Sequence, residues 1–243
     1  MRRKLFSLPA GLCGLALLLA IPSAHGASVT YTTSGSGSDG PLAASASFVT
    51  SAGSLQLTLS NTLSSDVIRS AGQALSDITF TLSNAPGTLG TTSASGQFGN
   101  VSSTGAVTDV SGTPTRWLGA NGQGSFTISG NTITLESVGG GQPSQMIAPS
   151  LTGSSYTNVN SGFGNFNPYV IGPATFNLAL SGVTANTTIQ SVTFSFGTSP
   201  DTFIGGTTGN TPPPVPEPSS LALLGTGLLG VTALARRKLL AAK

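Results

Sequence analysis

Histidine and cysteine are nearly missing from this chain. Its 243 residues hold one of each, Cys13 and His25, and both lie within the first 26 residues. From Ala27 to Pro214 there is neither. That absence removes disulfides from the body of the protein, although an extracellular setting would permit them. It also removes Ser-His-Asp and Cys-His catalysis and zinc sites built on His and Cys. Charge is the second shortage: 7% of residues are charged, against about a quarter in ordinary globular domains. The formal net charge of +2 comes from the two ends, where Arg2, Arg3, Lys4, Arg236, Arg237, Lys238 and Lys243 supply seven of the nine basic residues. Between Ala27 and Pro214, Arg69 and Arg116 stand against Asp39, Asp66, Asp77, Asp109, Glu136 and Asp201. Two cations against six anions leave that stretch at −4. It has no basic patch to neutralise phosphates, so nucleic acid is not expected as a partner. The chemistry left to it is that of a few carboxyl groups.

What is present is concentrated first at the ends. Met1–Lys4 is basic, Ala10–Ile21 is apolar, Pro22 breaks the run, and Ser23–Ala27 is mostly small. This pattern reads as a secretory signal peptide over residues 1–26, cut before Ala27. An anchor helix is the alternative, but the 12 residues of Ala10–Ile21 fall short of the roughly 20 a span needs. At the other end, Val215-Pro216-Glu217-Pro218 precedes 17 uncharged residues, Ser219–Ala235, and then Arg236-Arg237-Lys238. As a helix that run covers about 26 Å, just under a ~30 Å hydrocarbon core. The basic triplet would hold its end on the cytoplasmic side. Pro216 and Pro218 keep the helix from extending backward.

These three elements in this order resemble the PEP-CTERM sorting signal, over the last 29 residues. Leu239–Lys243 extends past the basic cluster, a small departure from the pattern. The resemblance implies handling by exosortase, a membrane protease-transpeptidase, at Val215, Pro216, Glu217 and Pro218. It further implies a transient stay at the inner membrane of a Gram-negative bacterium that makes extracellular polysaccharide, then a place at the cell surface or in the matrix. It implies nothing about what the body does.

The body reads as strands. Phe48, Leu55, Leu57 and Leu59 alternate with polar residues, as do Ile78, Phe80 and Leu82, with Thr79 and Thr81 between them. Phe126 and Ile128 meet Ile133 and Leu135 across Ser129-Gly130-Asn131. Phe176, Leu178 and Leu180 follow, then Val192, Phe194 and Phe196. Period-two alternation with Gly, Asn, Ser and Pro between runs predicts half-buried antiparallel strands. The fold expected is all-β, an antiparallel β-sandwich of jelly-roll or Ig-like type spanning 27–204 with roughly eight to ten strands. Residues 205–214 read as a Gly/Thr/Pro linker. Ala174–Pro200 resembles the final hairpin of bodies that carry such tails. Ser65–Leu75 is a weak helical candidate with Asp66 as cap, and Gly72 counts against it.

Three constellations in the body could carry chemistry. Asp66 and Asp77 lie near Arg69 in sequence and could form an ion-pair cluster. A glycosidase needs two carboxylates roughly 5–9 Å apart across a cleft, and no motif fixes such a pair, so no enzyme and no cofactor are expected. Gly35-Ser36-Gly37-Ser38-Asp39-Gly40 fits one calcium-binding nonapeptide repeat, but such repeats work in stacks and a plain turn is the preferred reading. Tyr156, Phe163, Phe166 and Tyr169 sit among Asn158, Asn160, Asn165 and Asn167, with Trp117 as a further member. These rings and amides could stack on and hydrogen-bond to sugars, whereas the preferred reading makes the rings anchors of a long loop. Asn100-Val101-Ser102 and Asn186-Thr187-Thr188 fit the glycosylation pattern, which is short and common. The sequence therefore points to an exported, non-enzymatic surface or matrix protein, structural or adhesive in a polysaccharide layer. A carbohydrate-binding module is the alternative.

Overall fold

The computed structural model describes residues 28–199 and 202–209. The segment expected to be a signal peptide, residues 1–26, and the C-terminal stretch 215–243 with its expected membrane helix lie outside the described residues. The strands in chain order are β1 (Val29–Gly37), β2 (Gly40–Ser51), β3 (Ser54–Asn61), β4 (Leu75–Leu82), β5 (Leu89–Val101) and β6 (Val107–Val110). They continue as β7 (Ser125–Ser129), β8 (Thr132–Glu136), β9 (Ile147–Ala148), β10 (Tyr169–Leu180), β11 (Ile189–Phe196), β12 (Thr202–Gly205) and β13 (Thr207–Thr208). The described residues form an all-β body with four short 3-10 turns. Among the described residues no helix is long and apolar enough to cross a membrane.

Alternation builds these strands as the sequence predicts. Leu55, Leu57 and Leu59 of β3 are fully buried, and Gln56 between them is exposed. The outward positions are tied across strands by neutral side chains. Thr79 bonds Thr134 at 2.9 Å, Thr81 bonds Thr132 at 3.2 Å, Thr58 bonds Thr175 at 3.2 Å, and Gln56 donates to Asn177 at 3.0 Å. Each such pair contributes about 0.2–1 kcal/mol. These ladders give the surface its polarity where charge is scarce.

Hydrogen bonds link the strands in the order β12-β11-β4-β9-β10-β3-β2-β1-β13. Strands β5 and β6 branch from β10, and β8 and β7 branch from β4. All pairs are antiparallel except β9 with β10. The ladder curls back on itself over a common core. Phe48 of β2 packs edge-on to Phe80 of β4 with ring centres 5.0 Å apart, and the Tyr31 hydroxyl of β1 donates to the Ile189 carbonyl of β11 at 2.7 Å. At one margin β9 joins β10 to Leu75 of β4. At the other, Thr202–Gly205 pairs with β11, the Gly206 amide donates to Val192 at 2.8 Å, and Thr207–Thr208 pairs with β1.

Four details depart from the sequence reading. The sheet runs on into the stretch expected to be linker: Thr207–Thr208 is strand, and the Gly209 amide still donates to Thr30 at 2.9 Å. The presumed final hairpin is not one. Strand β10 pairs with β3, β5 and β9, whereas β11 pairs with β4 and β12, so the connection between them changes layer. Within Ser65–Leu75 only Ala71–Gln73 makes a 3-10 turn. Ser70 caps it, accepting from the Gly72 amide at 3.0 Å, while Gln73 Oε1 accepts from Arg69 N at 2.7 Å. Finally, β5 is long and alternates in burial but has few large apolar side chains, because its glycines lie where neighbours come close. A Cβ on Gly99 would stand 2.6 Å from Val107 Cγ1 and 2.9 Å from Ile171 Cγ1.

Candidate functional site

The aromatic loop closes a second core. Tyr156, Phe163 and Tyr169 are fully buried beside Ile68, Val101 and Met146. Phe163 stacks on Tyr169 at 4.3 Å, and Tyr156 lies tilted against Phe163 at 5.9 Å. The Tyr156 hydroxyl donates to Pro149 O at 2.6 Å and the Tyr169 hydroxyl to Phe163 O at 2.8 Å. Burial raises the pKa of both phenols above the ordinary range, so both remain donors. Trp117 is buried in the main core, tilted against Phe176 at 5.7 Å, with its indole N–H donating to Gln145 O at 2.7 Å. Two of the four amides are engaged as well. Asn167 brackets Val101, accepting from its N–H at 2.7 Å and donating to its carbonyl at 2.9 Å, and Asn158 donates to Asp66 O.

Of the five rings considered for glycan contact, Trp117, Tyr156, Phe163 and Tyr169 therefore have no free face on which a sugar could stack. Their apolar area is spent on the cores, the role loops routinely give such rings. Phe166 is half-buried. It borders a groove of about 260 Å³ with Asp39, Ser70, Asn160, Asn165 and Thr198. Asp39 reaches this groove from the two-residue turn between β1 and β2, where its carboxylate accepts from Ser70 Oγ at 2.7 Å. A second groove, of about 650 Å³, lies along β5 and β6, where Gln97 donates to Asp109 at 2.9 Å.

The charged cluster does not form around Arg69. The Arg69 carbonyl accepts from Asn160 N at 2.7 Å as part of the loop docking. The cluster sits where β8, β4 and β11 run side by side. Pairing sets Asp77 opposite Glu136 on one side and opposite Ser195 on the other. Because Ile78, Leu135 and Phe194 point into the core, their neighbours Asp77, Glu136 and Ser195 share the outer face. Arg116 is buried nearby, and its guanidinium donates to Ser137 O, to Gln123 Oε1 at 2.8 Å and to Gly139 O at 2.6 Å. Burial lowers the Arg116 pKa, and the charge of Glu136 works against that. Burial raises the Glu136 pKa, and Arg116 opposes it. Asp77 is pushed up to about 7, first by burial and then by the Glu136 charge. Among the described residues, no three His, Cys, Asp or Glu side chains converge as a metal-ligand set. The outward face of Asp77 could be read from its spacing to Thr79 and Thr81. Its neighbours could not, since they depend on which strands pair.

The sorting residues Val215, Pro216, Glu217, Pro218, Arg236, Arg237 and Lys238 lie outside the described residues, so comparison with known families bears on them. A family profile, the PEP-CTERM protein-sorting motif, matches residues 214–238. These residues are a PEP-CTERM sorting motif. The match takes in the Pro-Glu-Pro element, the uncharged run and the basic triplet, and it ends at Lys238, before Leu239–Lys243. A PEP-CTERM motif implies an exported protein handled by exosortase at the membrane. The profile covers only a short part of the chain and carries no information about the sheet. No curated protein and no solved structure matches the chain.

Proposed function

We propose that this is a non-enzymatic surface or matrix protein, structural or adhesive within an extracellular polysaccharide layer. We read its body as a β-sandwich carried as cargo. The observation that carries the reading is the PEP-CTERM motif at residues 214–238. In this scheme the signal peptide starts translocation, and the run Ser219–Ala235 halts it with Arg236, Arg237 and Lys238 on the cytoplasmic side. Exosortase then cuts near Val215–Pro218 and passes the body on. The composition supports a structural role for that body: it lacks the His and Cys that hydrolytic sites commonly use, and neutral Thr ladders cover its outer faces. The test is Glu217→Ala, or deletion of Arg236–Lys238, followed by the fate of the protein in cell fractions. Glu217→Ala should leave the full-length chain in the membrane, and the deletion should let it escape the membrane stop with its tail uncut; unchanged processing and release would overturn the scheme.

A second reading, glycan binding, draws support from the groove at Phe166. A half-exposed ring with two amides and a carboxylate is the residue set that recognises a sugar ring through one face and its hydroxyls. Retention on the host's own polysaccharide that is lost in Phe166→Ala supports this reading. No retention, or retention that the substitution leaves unchanged, removes it.

A further inference from the structure

Two buried side-chain oxygens have no hydrogen-bond partner among the described residues: Asp77 Oδ1 and Ser195 Oγ. They belong to residues that face each other in register on β4 and β11. Asp77 is 5% exposed and Ser195 1%. Groups this buried are normally satisfied, and leaving them bare costs free energy. They do not satisfy each other, since no hydrogen bond joins them. A proton on Asp77 would still leave the Ser195 hydroxyl without a partner. Because the two residues stand opposite each other in register, one group lying between them would satisfy both.

The surroundings favour a cation there. Glu136 faces Asp77 from β8, so two carboxylates and a hydroxyl line up across three adjacent strands. Among the described residues Arg116 is the basic group that bears on them, and it bears on Glu136 while its own donors are placed on Ser137, Gln123 and Gly139. With all three groups ionised the cluster keeps one negative charge. We propose that Asp77, Glu136 and Ser195 bind a calcium ion on the outer face of the β8-β4-β11 ladder. Two carboxylates and one hydroxyl offer up to five oxygens, and water at the half-exposed Glu136 completes the roughly six to eight that calcium takes. Calcium fits better than magnesium, because three rigid strands impose an irregular oxygen set and magnesium demands a regular octahedron.

The experiment uses the full chain in detergent, stripped with EDTA and held near pH 8. Calcium chloride is titrated calorimetrically, and thermal unfolding is followed in parallel with calcium, with magnesium and with EDTA. One calcium per chain is expected, with a higher Tm in calcium than in EDTA and a smaller shift in magnesium. Asp77→Asn, which keeps the size of the side chain, should weaken binding by at least about tenfold, since it removes a charged ligand. Ser195→Ala should weaken it less, and Asp109→Asn on β6 should leave it unchanged. The same Tm in calcium and EDTA would mean that water fills the gap, and the proposal would fail. Binding with undiminished affinity in Asp77→Asn would place the ion elsewhere and overturn it equally.

Discussion

Replacing Asp77 with Asn removes an acid that the fold holds against its preference. The isolated carboxyl titrates near 3.8, and burial together with Glu136 moves it to about 7. The folded protein thus binds this proton more tightly than the unfolded chain does. Below about pH 4 both states carry the proton and the site costs nothing. Between about pH 4 and 7 the unfolded chain has released the proton and the folded one has not, so stability falls as pH rises, by about 1.4 kcal/mol per unit. Above about pH 7 both are ionised and the penalty levels off. Three units of displacement set it at about 4 kcal/mol. The assay is urea unfolding in EDTA at several pH values from about 4 to 8. Wild-type protein should lose stability across that window, while Asp77→Asn should keep only the smaller slope due to Glu136, whose pKa is also raised by burial. The amide in place of the carboxyl is itself imperfectly bonded, so the slope decides the matter rather than the absolute stability. Parallel pH profiles for the two proteins would refute the assignment of a buried, proton-holding Asp77.

Two further substitutions test the packing. Phe163→Ala empties the centre of the second core and should destabilise by about 3–5 kcal/mol in urea unfolding; a change below about 1 kcal/mol would mean that the ring is not packed as described. Gly99→Ala places a Cβ against Val107 and Ile171 and should cost about 1–3 kcal/mol, by the same measurement. A neutral result would show that β5 and β10 can separate without penalty.

The parts of the fold visible in the sequence are those written in period two. Leu55, Leu57 and Leu59, or Ile78, Phe80 and Leu82, name their own buried face, and the Thr residues between them name the other. Strand β5 was not legible, because Gly96 and Gly99 answer to the side chains of Val170 and Ile171, which are remote in sequence, and of Val107 on the next strand. Strand β13 hid in a Gly/Thr stretch whose pairing partner, β1, lies at the opposite end of the described chain. The candidate sites divide in the same way. The sorting tail is readable because its elements are contiguous. The Asp77–Glu136–Ser195 row is not, since nothing local places β8 and β11 on either side of β4. The aromatic loop shows the converse: its composition suits both a sugar-binding face and a core, and only tertiary packing selects the core.

The export account is tested most directly by mass spectrometry of the secreted and surface fractions of the host. It predicts a mature form that begins at Ala27 and has lost the stretch from the Pro-Glu-Pro element to Lys243. Recovery of the intact C-terminal peptide from the released protein, or of the whole chain from the cytosol, would contradict it.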